Sequence, residues 1–454
     1  MELKDKRVLV VGLGKSGAAS ALFLKSRGAR VTVSDSKPEA ELHNEILPLL
    51  EHGITVETGG HGERTFRGQD LIVVSPGVPV DAPQLVQARN LGEPVIGEIE
   101  LAAQFLPGHI VAITGANGKT TTTSLAGEIL AAGNFPTLVG GNIGTPAISF
   151  VDQATPATWT VLEVSSFQLE TIVQFRPRIA VILNITPDHL DRHKTLANYV
   201  NAKARVFENQ DAGDFTVLNA DDPTTAGLSK RTHAQLFWFS RKREVEKGAF
   251  VRSAHVYFRD SRGEHEVLPL AEIPLKGGHN LENVLAGVSI GMLAGCQPEQ
   301  VRQAVRSFKA VEHRLEFVAN VGGVDYYNDS KATNVDATIK ALESFPANVH
   351  LILGGKDKGS DYTTLNELLR QRVKRVYTIG AAAAKIESQI RGAAEIDHAE
   401  TLENAVRRAT ESAMAGDVIL LAPACASFDQ FRSYEHRGRV FKEIVHSLSL
   451  ARTT

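Results

Sequence analysis

The sequence predicts an α/β protein of three domains, on three observations. Strand-like runs alternate with helix-like runs along the chain. Two of the strand-to-helix turns are glycine loops. The 454 residues stand against a prior of about 150 residues per domain. Alternation of this kind implies mostly parallel sheets covered on both faces. The 43% apolar content suits globular cores without a disordered tail. A net charge of −3 and the lack of any Lys/Arg tract argue against nucleic acid as the main partner. Cys296 and Cys425 are far apart, have no metal-ligand spacing and fit a reducing compartment. The opening "MELKDKRVLVVGLG" turns straight into a short strand, so neither signal peptide nor membrane insertion is expected, and a cytoplasmic location is.

The first domain, residues 1–97, opens with "RVLVVGLGKSGAASALFLKSRGARVTVSD". An apolar strand leads into Gly12, Gly14 and Gly17, a helix follows, and a second strand runs to Asp35. Glycines let a backbone approach a diphosphate at a helix N-terminus, and the acid suits a ribose hydroxyl. This Rossmann-like pattern fits a dinucleotide enzyme, any other diphosphate-nucleoside binder, or a tight turn without ligand. The strand "DLIVVSPGVP" presents Ser75, Pro76 and Gly77 at its C-terminal end, where ligands collect in such sheets.

The central domain, residues 98–308, begins with "HIVAITGANGKTTTTSLAGEILAAG". This is almost the phosphate-binding loop G-x-x-x-x-G-K-[ST], except that Ile113 stands where the first glycine belongs. Gly115 and Gly118 still flank the turn, Lys119 can neutralise phosphate oxygens, and the Thr120 hydroxyl can meet Mg²⁺. The alternative is a glycine-rich helix start without nucleotide. Farther on, the strand "TWTVLEVSSFQLE" breaks at Glu163, Ser165 and Ser166, and "PRIAVILNITPDHLDRH" ends at Asn184 with Asp188, His189 and Asp191 beyond it. Carboxylate and imidazole near a phosphate loop suit magnesium and substrate; His189 fits a loop hydrogen-bonder equally well.

The next helix contains an anomaly. In "TLANYVNAKARVFENQ", Leu196, Tyr199, Val200 and Phe207 mark one apolar face, and Lys203 falls on it. Spacing alone favours a snorkelling lysine, stem buried and ammonium in water. The other reading is a lysine turned inward for chemistry. A lysine of pKa ~10.4 is rarely neutral at pH 7, but burial lowers that pKa, and a neutral amine can capture CO₂ as an anionic carbamate.

The last part, residues 309–454, reads as a second Rossmann-like α/β unit. Just before it, "LKGGHNLENVLAGVSIGMLAGC" opens a helix with Asn280 and Asn283 one turn apart. "VEHRLEFV" and "VDYYNDSKATN" supply His313, Arg314, Asp329, Lys331 and Thr333. Strands "VHLILGGKDKG", "RVYTIG" and "DVILLAPACASFDQF" then alternate with three helices. Short hinges are expected near 97 and 309.

These motifs together resemble the Mur ligase family, and within it the members that add D-glutamate. The resemblance spans nearly the whole chain, through "GLGKSG", "SPGVP", "TGANGKTTT", "GGNIG", "LEVSSFQLE", "LNITPDHLDRH", "AKARVFE", "HNLENVLA", "EHRLE", "NDSKATN", "GGKDKG" and "APACASFDQF". The family writes its loop G-x-N-G-K-[ST], so the missing glycine is normal there. The resemblance implies an N-terminal UDP-binding domain, a central P-loop ATPase-type domain and a C-terminal domain for the incoming amino acid. It implies that ATP phosphorylates the carboxylate of UDP-N-acetylmuramoyl-L-alanine and that D-glutamate attacks the acyl phosphate, in bacterial peptidoglycan precursor synthesis. No obligate protein partner follows from it, and a monomer is compatible with it.

Matched residue by residue, the resemblance assigns UDP-substrate contacts to Ser16, Asp35, Ser36, Lys37, Ser75, Gly77, Asn142, Ser165 and Gln168. ATP would be held by Gly115, Asn117, Gly118, Lys119, Thr120 and Thr121, by Asn280 and Asn283 at adenine, by Asp329 at ribose, and by Arg314 and Lys331 at phosphates. Thr120 and Glu163 would bind one Mg²⁺, and His189 with a carbamylated Lys203 a second. Lys119, His189 and Lys203 are the implied catalytic set. D-Glutamate would sit near Thr333, Lys358, Ser427 and Tyr434, the last replacing a phenylalanine of the family. Rival expectations are a sister Mur ligase, a folylpolyglutamate synthetase-like amide ligase, and, from "GLGKSG" alone, an NAD-dependent oxidoreductase.

Overall fold

The structure is a computed structural model that describes residues 1–309 and 311–451, the side chains of 191 and 449–451 excepted. It contains three sheets. The first runs Thr55–Glu57, Arg30–Ser34, Arg7–Val11, Leu71–Val74, Val95–Gly97, parallel throughout. Its centre, "RVLVV", is buried from Val8 to Val11, as a parallel strand covered on both faces must be. The order reverses between the first strand and Leu71–Val74, which puts the first glycine loop at the switch point where ligands enter such sheets.

The second sheet has nine strands. Ile179–Ile182, His109–Thr114, Trp159–Glu163 and Thr137–Gly141 form one half in parallel. On the other side Phe215–Asn219 and Gln235–Ser240 continue in parallel to Gly248–Arg252. There the pairing changes: Gly248–Arg252, His255–Asp260 and Gly263–Pro269 are antiparallel neighbours. The alternation expected from sequence therefore describes the inner strands and not this antiparallel ribbon.

Ile113, at the place of the absent loop glycine, is a strand residue with no exposed surface, paired with Glu163 and Val181. The turn is made two residues later by Gly115, whose φ is +155°; a Cβ there would come to 3.0 Å of the Leu183 Cβ. The helix Lys119–Ala132 follows, with Gly118 in the left-handed region at φ +86°.

Two buried acids organise the start of this second sheet. The Glu100 carboxylate accepts backbone N–H groups from Val173, Gln174 and Phe175. Glu98 accepts from Ile148 N at 2.8 Å, and its burial pushes the carboxyl up to about 7. The helix Leu196–Ala204 begins at Thr195, whose hydroxyl accepts from Asn198 N. Tyr199 and Lys203 point into the core from it. The expected apolar face is shorter than its spacing implied. Leu196 is 38% exposed, and Phe207, though buried, lies past the helix on a 3₁₀ turn, Arg205–Phe207.

The chain divides into two compact units, Met1–Leu270 with Val284–Val305, and Ala271–Asn283 with the chain from Arg306 onward. The first holds the five- and nine-stranded sheets. The second holds a six-stranded sheet, ordered Glu316–Val321, Val324–Asn328, Val418–Leu421, Val349–Gly354, Val373–Ile379, Glu395–Glu400. Only Glu316–Val321 is antiparallel to its neighbour.

Candidate active site

In the first unit the second glycine loop brings together most of what its motif proposed. The Thr120 hydroxyl donates to Glu163 Oε2 at 2.7 Å, and Asn142 Nδ2 donates to Glu163 Oε1 at 2.9 Å. Lys119 Nζ donates to the carbonyls of Gly115 and Ala116 at 2.9 and 2.8 Å. Asn117 exchanges hydrogen bonds with the Asn184 side chain, which ties the loop to the end of a neighbouring strand. Thr121 is the third residue of the helix and is buried.

Behind this loop lies Lys203, 1% exposed. Its Nζ donates to Gly115 O at 2.7 Å and sits 4.6 Å from the Tyr199 ring centre. It does not snorkel. Burial, then the Lys119 charge, hold its pKa well below the ordinary lysine value; the Asp188 and Glu163 carboxylates oppose that only in part. The site therefore disfavours the charged ammonium relative to an exposed lysine. His189 is exposed, in the left-handed region at φ +53°, with Asp188 Oδ2 at 3.6 Å and the Phe167 ring at 5.0 Å.

Around Gly77 the structure adds residues that the motifs did not single out. Arg192 donates to Val78 O and Glu170 Oε2, both at 3.0 Å, and lies 4.6 Å over the Phe167 ring. His193 is buried, with Ser166 Oγ at 2.9 Å and Glu170 at 3.4 Å. Both belong to "HLDRH", so the signal was present, but nothing in spacing told a loop histidine from a buried one. Ser165 and Gln168 form a reciprocal capping box on the helix Ser166–Leu169. The Gln168 amide nitrogen is buried and finds no hydrogen-bond partner among the described residues. It borders a cleft shared with Ser75, Pro76, Val78, Phe167 and Thr171.

At the first glycine loop, Asp35 is buried, and its two oxygens accept from Leu13 N at 2.6 Å and Lys37 N at 2.8 Å. The carboxylate shapes the loop directly. Ser75 Oγ donates to Gly12 O at 2.7 Å. Ser36 and Lys37 are exposed, and Ser16 is half-buried on the first helix turn.

In the second unit, Asn283 Nδ2 donates to Asn280 Oδ1 at 3.1 Å, and Asn280 Nδ2 to Lys276 O at 2.7 Å. Asp329 accepts from Leu315 N at 3.1 Å. Desolvation pushes its carboxyl up to about 7, against that bond and the nearby Arg314 charge. Lys331 Nζ lies 3.8 Å from the Tyr434 ring centre, a cation–π contact, and the Tyr434 carbonyl accepts from Ser330 Oγ at 2.8 Å. Lys358 is exposed, Thr333 half-buried and Ser427 buried. Arg437, unremarked in the sequence, has no exposed surface and donates to Ser330 O, Ser330 Oγ and Cys425 O. It ties the segment before Lys331 to the segment before Ser427. Glu312, His313 and Glu316 also cluster, with Lys442 bonded to both carboxylates.

Comparison with known proteins decides what these loops belong to. Three family models match in succession: the Mur ligase MurD-like N-terminal domain over residues 6–97, the Mur ligase middle domain over 113–291, and the Mur ligase glutamate ligase domain over 313–425. The chain belongs to the Mur ligase family. It is 68% identical to a UDP-N-acetylmuramoylalanine–D-glutamate ligase of Koribacter versatilis, over 99% of each chain. It is 60% identical to the protein of the same name from Acidobacterium capsulatum, over 98% of this chain and 97% of that one. Among solved structures it shares the fold of the MurF ligase from Thermotoga maritima, with a TM-score of 0.62, 16% identity and 99% of each chain covered. The three-domain Mur ligase architecture thus accounts for the three sheets.

Mur ligases are ATP-dependent ligases, which generally implies ATP and Mg²⁺. The donor set here fits both. Thr120 and Glu163 offer hard oxygens, the kind Mg²⁺ prefers, and the glycine turn at a helix N-terminus suits phosphate. No helix among the described residues is long and apolar enough to cross a membrane.

Proposed function

We propose that this chain joins D-glutamate to UDP-N-acetylmuramoyl-L-alanine, with ATP converted to ADP and phosphate, in bacterial peptidoglycan precursor synthesis. The observation that carries the reading is the full-length identity, 68%, to a relative of that name.

A free carboxylate is a poor electrophile until one of its oxygens becomes a leaving group. Phosphoryl transfer from ATP makes the acyl phosphate, the D-glutamate amine adds to its carbonyl, and phosphate leaves. Lys119 and the N-terminus of the helix Lys119–Ala132 stabilise charge on the transferring phosphoryl. Gly115, Asn117, Gly118 and Thr121 complete the ATP loop. Thr120 and Glu163 would hold one Mg²⁺, and His189 with Lys203 a second; the ions would supply charge neutralisation at the phosphates. For the second site Lys203 is a carbamate: its neutral amine adds to CO₂, an N–C bond forms and a proton is lost. The depressed lysine pKa supports this.

Ser16, Asp35, Ser36, Lys37, Ser75 and Gly77 hold the UDP-sugar. Asn142, Ser165 and Gln168 orient its alanyl end, with the unpaired Gln168 amide as a donor for it. Asn280, Asn283, Arg314, Asp329 and Lys331 serve the nucleotide, and Thr333, Lys358, Ser427 and Tyr434 the D-glutamate. The domain boundaries fall near 97 and 308, and the enzyme acts in the cytoplasm. Calorimetry separates this from the oxidoreductase reading: UDP-N-acetylmuramoyl-L-alanine should bind saturably and NADH should not. The reverse result would overturn the assignment.

A further inference from the structure

The segment that carries Lys358 leaves the strand Val349–Gly354 through glycines at φ +128° and +134°, and Gly359 follows at φ +82°. Lys356 and Lys358 are exposed. Three side chains hold the segment down. The Asp357 carboxylate accepts from the Tyr362 hydroxyl at 2.8 Å, from Lys385 Nζ at 2.7 Å and from Ser360 N at 3.1 Å. Burial alone would raise this carboxyl, but those bonds outweigh it and hold it at about 2. Tyr362 has no exposed surface, and burial keeps its phenol protonated. The same hydroxyl lies 3.0 Å from Cys425 Sγ, two residues before Ser427. Alongside, the backbones of Lys356 and Ala426 exchange hydrogen bonds at 2.8 and 3.1 Å.

We infer that Asp357, Tyr362 and Lys385 are positioning residues: they tether the Lys358 segment to the Cys425–Ser427 segment and thereby set the affinity for the incoming dicarboxylic amino acid. The inference rests on the reading of Lys358 and Ser427 as D-glutamate contacts. A long, exposed lysine is a weak carboxylate ligand unless its backbone is fixed, because ordering it on binding costs conformational entropy. Asp357 supplies that fixation from the adjacent residue. The strand ladders on either side do not depend on it, so loosening the tether should leave the fold in place.

The test is steady-state ADP release with each substrate varied in turn. Tyr362→Phe keeps the ring and removes the hydroxyl. It should raise KM for D-glutamate about tenfold, as expected for loss of a hydrogen bond to a charged group. KM for ATP and for the UDP-substrate, and kcat, should stay near wild type, while Tm falls by no more than the few degrees that one lost hydrogen bond costs. Lys385→Gln acts at a partly exposed side chain, so it keeps the test open should the Tyr362 variant fold poorly. It should raise the same KM by a smaller factor, and Lys385→Arg should restore it. Lys358→Ala serves as the reference. If it raises KM for D-glutamate while Tyr362→Phe and Lys385→Gln do not, the tether is wrong and the pocket stands. If Lys358→Ala leaves that KM unchanged, the pocket reading fails and the tether with it. A uniform rise in every KM with a lowered Tm would reduce the three residues to a structural role and overturn the inference.

Discussion

The two glycine loops of the first unit share a strand–loop–helix plan and have opposite chemistry. Each joins a buried parallel strand to a helix, and each has an ionisable side chain bonded to its backbone from behind. At the first loop that side chain is Asp35, which accepts from Leu13 N and Lys37 N. At the second it is Lys203, which donates to Gly115 O. Both oxygens of Asp35 face N–H donors, a satisfied arrangement. Lys203 is a buried amine beside a second lysine, and its pKa is held well down. Burial and the neighbouring lysine both disfavour its charged form. A glycine loop therefore identifies a phosphate-binding shape, whereas the ionisable groups around it indicate whether anything reacts there.

The comparison breaks most readily at Lys119. Lys119→Ala should lower turnover by about a hundred- to a thousandfold, the scale of losing one charge-stabilising donor. Binding of the UDP-substrate by calorimetry should remain near wild type, because the first loop is untouched. Equal loss of both would show that the two loops do not divide the work.

Lys203 gives the next largest effect. Lys203→Ala and Lys203→Arg should each lose about ten- to a hundredfold in activity, the range for removing a metal-site partner. Arginine keeps charge and reach but cannot form the carbamate. Near-normal turnover of the arginine variant would refute the carbamate.

The smallest effects separate the glycines. A Cβ on Gly17 would stand 1.9 Å from Gly12 O, whereas one on Gly14 meets nothing within 4 Å. Gly17→Ala should destabilise by about 3 kcal/mol, and Gly14→Ala by less than about 0.5 kcal/mol, by chemical denaturation. If the two cost the same, close packing of helix on strand does not shape the first loop.

Both loops were legible because their signals are local: apolar strand, glycines, helix, and a charged residue at a fixed offset. Ile113 stands where a P-loop glycine belongs, yet it is an ordinary buried strand residue, and the turn starts at Gly115. The ribbon Gly248–Pro269 was not legible from βαβ alternation, since its strands pair with sequence neighbours. Its own signals were the Asp260–Gly263 turn and the period-two pattern of His255–Asp260. Lys203 could be seen as out of place on its helix, but spacing cannot tell a lysine that reaches water from one that bonds a loop carbonyl 88 positions away. Arg437 and Tyr362 were invisible for the same reason. Their partners, Ser330, Cys425 and Asp357, become neighbours only once the six-stranded sheet has formed.

The most direct test of the central claim is ADP release in the presence of ATP, Mg²⁺ and UDP-N-acetylmuramoyl-L-alanine, with D-glutamate and L-glutamate supplied separately. The account predicts turnover with D-glutamate and far less with L-glutamate. Equal turnover of the two enantiomers, or release that ignores the amino acid altogether, would contradict it.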